Sequence, residues 1–65
     1  MKKFKVIENS KIFGMNNGIQ VNSVISIGEY EYDIEEVTIK DYDYYKIIIN
    51  SDVYFFITKS KINFI

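Results

Sequence analysis

At 65 residues the chain is long enough for one small domain, spanning 1–65, and a domain of this size buries only about 60% of the surface its unfolded form exposes. Cysteine and histidine are both absent, which excludes disulfides, thiolate zinc sites, cysteine nucleophiles and any catalytic set that needs an imidazole. The net charge is −1 but unevenly spread: residues 1–15 sum to +3, residues 29–43 to −6 and residues 44–65 to +2, with 16–28 neutral.

Thirteen Ile, eight Lys, six Asn, six Tyr and five Phe make up more than half the chain, while Ala, Leu, Arg, Pro and Trp are missing. The favoured residues share A/T-rich codons, so the source is expected to be a low-GC bacterium, its phage or its plasmid. The same bias removes two strong helix formers and supplies residues suited to pleated, half-buried surfaces.

Period two then dominates along the chain. Phe4 and Val6 alternate with Lys3 and Lys5 as a first strand, Asn9-Ser10 is a weak turn, and Lys11 to Met15 is a short strand or an irregular arm. Asn16-Asn17-Gly18 is the clearest turn, because Asn and Gly tolerate positive φ. Ile19, Val21, Ser23, Ile25 and Ile27 share one face up to Gly28. Tyr30, Tyr32 and Ile34 then line a face opposite Glu29, Glu31, Asp33 and Glu35, and Val37 and Ile39 continue the strand. Asp41-Tyr42-Asp43 reads as a turn, followed by Tyr45, Ile47 and Ile49 pointing inward. Asn50-Ser51-Asp52 turns again, Val53, Phe55 and Ile57 form the next inward set, and Ile62 and Phe64 close the chain after Thr58-Lys59-Ser60. The expected fold is all-β, a small five- to six-stranded SH3-like barrel or a compact antiparallel β-sandwich. A sheet of such strands leaves edges that a short chain can hardly cover, so a homo-oligomer is expected.

The second half carries a family resemblance. Tyr44-Tyr45-Lys46-Ile47, Asn50-Ser51-Asp52 and Phe56-Ile57-Thr58-Lys59-Ser60-Lys61-Ile62 resemble the end of a bacterial SH3-like (SH3b) domain. In that family an aromatic-aromatic-Lys-aliphatic strand, a hairpin, a further strand, a short Ser-rich turn and a last strand follow one another. Val24-Ile25-Ser26-Ile27-Gly28 is similar to the family's preceding Val-Ile-Gly strand. Here the hairpin glycine is replaced by Ser51 and the glycine before the aromatic by Phe55. The resemblance implies a small barrel, with cell-wall or peptide binding as the associated activity.

Two clusters are candidates for function. On a strand, Glu29, Glu31, Asp33 and Glu35 stand on one face at roughly 6.6 Å intervals. Such a row does not converge on a point as a metal loop does, and Asp41-x-Asp43 lacks the central Gly and terminal Glu of an EF-hand, so neither metal nor cofactor is expected. The row suits docking onto a basic surface, or it is a solvated face paired with Lys on a neighbouring strand. Tyr30, Tyr32, Tyr42 and Tyr44, together with Asp41 and Asp43, extend it into an acidic, Tyr-rich segment. Tyr offers rigid contact area with a polar tip. Because the Tyr-rich segment is also the acidic one, nucleic acid is not an expected partner.

The function class expected is therefore a non-catalytic binding protein, not an enzyme. Its expected partner is a host protein with a basic surface, blocked or sequestered in the cytoplasm (the host cytoplasm if the chain is phage-encoded). The alternative is an SH3-like cell-wall- or peptide-binding module cut from a larger protein. No apolar run approaches the ~20 residues that span a bilayer as a helix, and no membrane role is expected.

Overall fold

The computed structural model describes all 65 residues. Seven strands run β1 (Lys2–Val6), β2 (Ser10–Asn16), β3 (Ile19–Ile25), β4 (Gly28–Ile39), β5 (Tyr42–Asn50), β6 (Val53–Thr58) and β7 (Ile62–Phe64), with one 3₁₀ turn at Lys59–Lys61. They form one antiparallel sheet in the order β3-β2-β6-β5-β4-β1-β7, whose two ends do not pair. The fold is thus all-β, with seven strands rather than five or six, and the sheet is not closed into a barrel. No helix is long and apolar enough to cross a membrane.

The twelve-residue β4 organises the molecule. Its first half pairs with β1, from Lys2↔Tyr32 to Val6↔Gly28, and its second half pairs with β5, from Asp33↔Ile48 to Ile39↔Tyr42. The strand belongs to both halves of the sheet, and the sheet folds over on itself around it. Phe4, Val6 and Ile62 from the β7-β1-β4 half meet Ile12, Ile47 and Ile57 from the other half in one core. Ile25, Tyr30, Tyr32, Ile34, Tyr45 and Phe55 pack around them, and Phe4 stacks on Tyr30 with ring centroids 6.0 Å apart. Each fully buried aliphatic side chain here contributes about 1.5–3 kcal/mol relative to an exposed one.

The turns follow local chemistry. Asn17 and Gly18, at φ 51° and 82°, make the two-residue loop of the β2–β3 hairpin, as their tolerance of positive φ requires. The β4–β5 loop is Lys40-Asp41, at φ 50° and 68°, not Asp41-Tyr42-Asp43. Cross-strand pairing of Ile39 with Tyr42 draws Tyr42 and Asp43 into β5 and forces the two residues before them into the left-handed region. At the β5–β6 turn the Asp52 N–H donates to Asn50 Oδ1 at 2.8 Å. A register shift between Ile48 and Asn50 takes Ile49 off the inward set, leaving it 41% exposed. Ile27, placed by alternation on one face with Ile25, lies outside the strand because β3 ends at Ile25; it is exposed, and its N–H donates to Asn9 Oδ1 in the crossing to β4.

The segment left open between strand and arm is a full strand. β2 pairs with β3 over seven residue pairs and with β6 from Phe13↔Phe56 to Asn16↔Val53. Gly14 makes the second contact possible, since a Cβ there would lie 2.0 Å from the Tyr54 carbonyl oxygen and 2.8 Å from the Phe55 Cα.

Candidate interaction surface

Directly opposite residues of an antiparallel pair share a face, so the register assigns every side chain to the inner, core-lining side or the outer side. Glu29, Glu31, Asp33 and Glu35 are exposed and outward, whereas Tyr30 and Tyr32 are half-buried against the core. The Tyr30 hydroxyl donates to the Ser26 carbonyl at 2.8 Å. Of the expected contact residues, Tyr30 and Tyr32 therefore fill the inner layer, and the carboxylates alternating with them are the accessible set.

Each carboxylate of the row has a cation beside it. Glu35 lies 3.9 Å from Lys46, and Asp33 lies 3.3 Å from the N-terminal amine. Glu31 stands opposite Lys3 and Glu29 opposite Lys5 in register, without forming ion pairs. The segregation of charge along the chain is thus largely undone by strand pairing, and Glu29 and Glu31 are the row's unpaired members. No three acidic side chains converge as a metal site would require. At the β4–β5 tip Tyr42 is 69% exposed on the outer side, while Asp41 and Asp43 are exposed and Asp43 accepts from Thr38 Oγ1 at 3.0 Å.

Tyr44 points outward too, but into a cluster that the linear sequence does not announce. Phe13 of β2 stacks on Phe56 of β6 at 5.2 Å between centroids and meets Tyr44 of β5 edge-on at 5.3 Å. Tyr54 abuts Phe56 edge-on at 5.8 Å, and the Lys46 ammonium sits over the Tyr54 ring at 4.3 Å. All of these are half-buried, and no second layer of the protein covers them. Phe13 and Phe56 are missing from the expected site because each lies far in sequence from the acidic segment. A signal existed for Phe56: Tyr44-Tyr45 and Tyr54-Phe55-Phe56 put large residues on consecutive positions, and on a strand this makes both faces apolar.

The surface is shallow. An open depression of about 220 Å³ is lined by Lys3, Glu29, Tyr30 and Glu31, and one of about 430 Å³ lies over Lys11, Ile12, Asn22, Ser23 and Val24. Neither encloses a small molecule as ligand clefts do. What the outer face offers is area: a rigid aromatic centre beside a charged row. Comparison with known proteins finds no matching family model, no matching curated protein and no matching solved structure.

Proposed function

We propose that this chain is a non-catalytic binding protein that contacts another protein through the outer face of its sheet. The observation that carries the reading is the uncovered aromatic cluster Phe13, Tyr44, Tyr54 and Phe56, set beside the acidic row. Aromatic side chains in rigid contact give binding energy at low entropic cost, and an exposed apolar patch with a polar rim is the usual mark of a protein-binding surface. Glu35, beside the Lys46 that sits over Tyr54, and the β4–β5 tip supply a rim suited to a partner with basic side chains. The A/T-rich residue usage points to a low-GC bacterium or one of its phages or plasmids. In that setting the reading extends to an inhibitor that blocks or sequesters a host protein in the cytoplasm.

The second reading, an SH3-like cell-wall- or peptide-binding module, is favoured by the order of elements in the second half. The residues that carry the resemblance fall on β5, a two-residue hairpin, β6, a short 3₁₀ turn and β7. One experiment separates the readings. Immobilised wild type and the double variant Phe13→Ala/Phe56→Ala are exposed in parallel to lysate and to peptidoglycan fragments of a low-GC bacterium. The first reading predicts a protein retained stoichiometrically by wild type and lost with the variant. Retention of peptidoglycan fragments favours the second, and equal retention by both proteins contradicts the aromatic surface.

A further inference from the structure

The sheet has two free edges of different character. β7 offers three residues, next to Lys59 and Lys61. β3 offers seven, Ile19-Gln20-Val21-Asn22-Ser23-Val24-Ile25, with no charge, no proline and no bulge in its register with β2. Edge strands that stay unpaired are normally guarded by one of those devices. β3 has none, and it leaves Ile19 67% and Val24 60% exposed.

The hairpin determines which backbone groups are free. A two-residue loop makes Asn16 and Ile19 a hydrogen-bonded pair, so Ile19, Val21, Ser23 and Ile25 direct their N–H and C=O groups to β2. Gln20, Asn22 and Val24 direct theirs outward. These three positions are symmetric about Asn22. The same strand reversed therefore meets every free group, and β3 is complementary to itself.

We propose that β3 pairs antiparallel with β3 of a second copy about a twofold axis at Asn22. Asn22 then faces Asn22 of the second copy, and Gln20 faces its Val24, giving about six new backbone hydrogen bonds. On the inner side Ile19 comes against Ile25 of the second copy, which covers the most exposed isoleucine of the strand. Because the strand is neutral, no like charges meet across the axis. The β7 edge, which follows Lys59 and Lys61, offers only three residues.

The arrangement has a consequence for the outer face. Opposite residues share a face, so the outer sides of both copies lie on the same side of the joined sheet. Phe13 is the β2 partner of Asn22, which places the two Phe13 positions three strand spacings apart, about 14 Å. The dimer would present two aromatic clusters to one partner surface. The pairing itself does not depend on what the outer face binds.

The chain has no cysteine, so Asn22→Cys introduces a unique thiol. In the proposed register its Cα lies about 5.5 Å from its mate, within disulfide range. Mild oxidation is expected to give a covalent dimer from Asn22→Cys, whereas Ser23→Cys, which faces Val21 of the second copy, should give little. Light scattering at high micromolar concentration should show wild type at twice the 7.7 kDa chain mass. Asn22→Lys, which sets two ammonium groups against each other, should sit at the chain mass with an unchanged circular dichroism spectrum. Mixing it with Asn22→Glu should restore the dimer. A monomeric wild type overturns the proposal, as does a dimer that survives Asn22→Lys or an Asn22→Cys variant that fails to crosslink.

Discussion

Phe55 and Phe56 are neighbours in the chain and serve opposite sides of the sheet. Phe55 packs around a core built almost wholly from Ile and Val, where Phe4, Val6 and Ile57 are completely or almost completely buried. Phe56 belongs to the outer cluster, where every aromatic ring is half in water. The difference teaches where the fold ends and a further purpose begins. The inner layer closes on itself around six buried side chains, and β2 and β6 approach so closely at Gly14 that no Cβ fits there. The outer layer is wider in apolar area than a solvated sheet face needs.

That contrast predicts the largest losses of stability on the inner side. Ile57→Ala should cost about 2–5 kcal/mol by cavity formation. A domain of this length is stable by only about 3–10 kcal/mol, so urea titration should find the variant partly or wholly unfolded. Gly14→Ala should be comparably severe, because the added methyl meets main-chain atoms of Tyr54 and Phe55 that cannot swing aside. Were either to melt like wild type, the division between the faces would be wrong.

Outer-face changes should separate binding from stability. Tyr44→Ala removes an edge-on contact worth about 0.5–1.5 kcal/mol beyond area, a modest shift in the denaturation midpoint. Its effect on partner affinity should be about 30-fold, as expected for an aromatic residue at the centre of an interface. Phe13 and Phe56 touch each other, so their double variant should fall short of the sum of the single ones.

Charged side chains should matter less. At the 3₁₀ turn the hydrogen bond from Lys59 to Glu36 raises the Lys59 pKa against a smaller opposing effect of burial, with Asp43 and Tyr45 adding to the rise. A raised folded value means that this stabilisation is complete below the ordinary 10.5 and is lost as pH climbs through the higher folded value. The melting temperature of wild type should therefore fall above 10.5 more than that of Lys59→Met, with the two curves parallel at neutral pH. The smallest effect is expected from Glu31→Lys, on the part of β4 that pairs with β1: a melt within roughly a few degrees of wild type and an affinity within about twofold. Because cations already stand along the acidic row, steep salt dependence of binding would contradict the primacy of the aromatic cluster.

Much of the fold was legible because strand alternation is a local signal. Phe4 with Val6, Tyr30 with Tyr32, and the Asn17-Gly18 loop all stand as the sequence implies. Features decided by pairing were not. The Lys40-Asp41 turn places a lysine, which has no turn preference, in the left-handed region; Ile49 is displaced by a bulge; and nothing local announces that β2 crosses to β6 at Gly14. The candidate surface divides the same way: the outward carboxylates follow from alternation, but the meeting of Phe13, Tyr44 and Phe56 requires the strand order. In a chain whose strands are apolar on both faces, sequence identifies two candidate cores and topology chooses between them.

Partly exposed aromatic rings on the two sides permit a direct comparison. A photo-crosslinking phenylalanine analogue is placed at Phe56, on the outer cluster, or at Phe64, which is 45% exposed and packs edge-on against the core-side Tyr45. Irradiation in lysate of a low-GC bacterium should join position 56 to a single partner protein and leave position 64 unlinked. Adducts formed from position 64, or equally from both, would contradict the outer face as the binding surface.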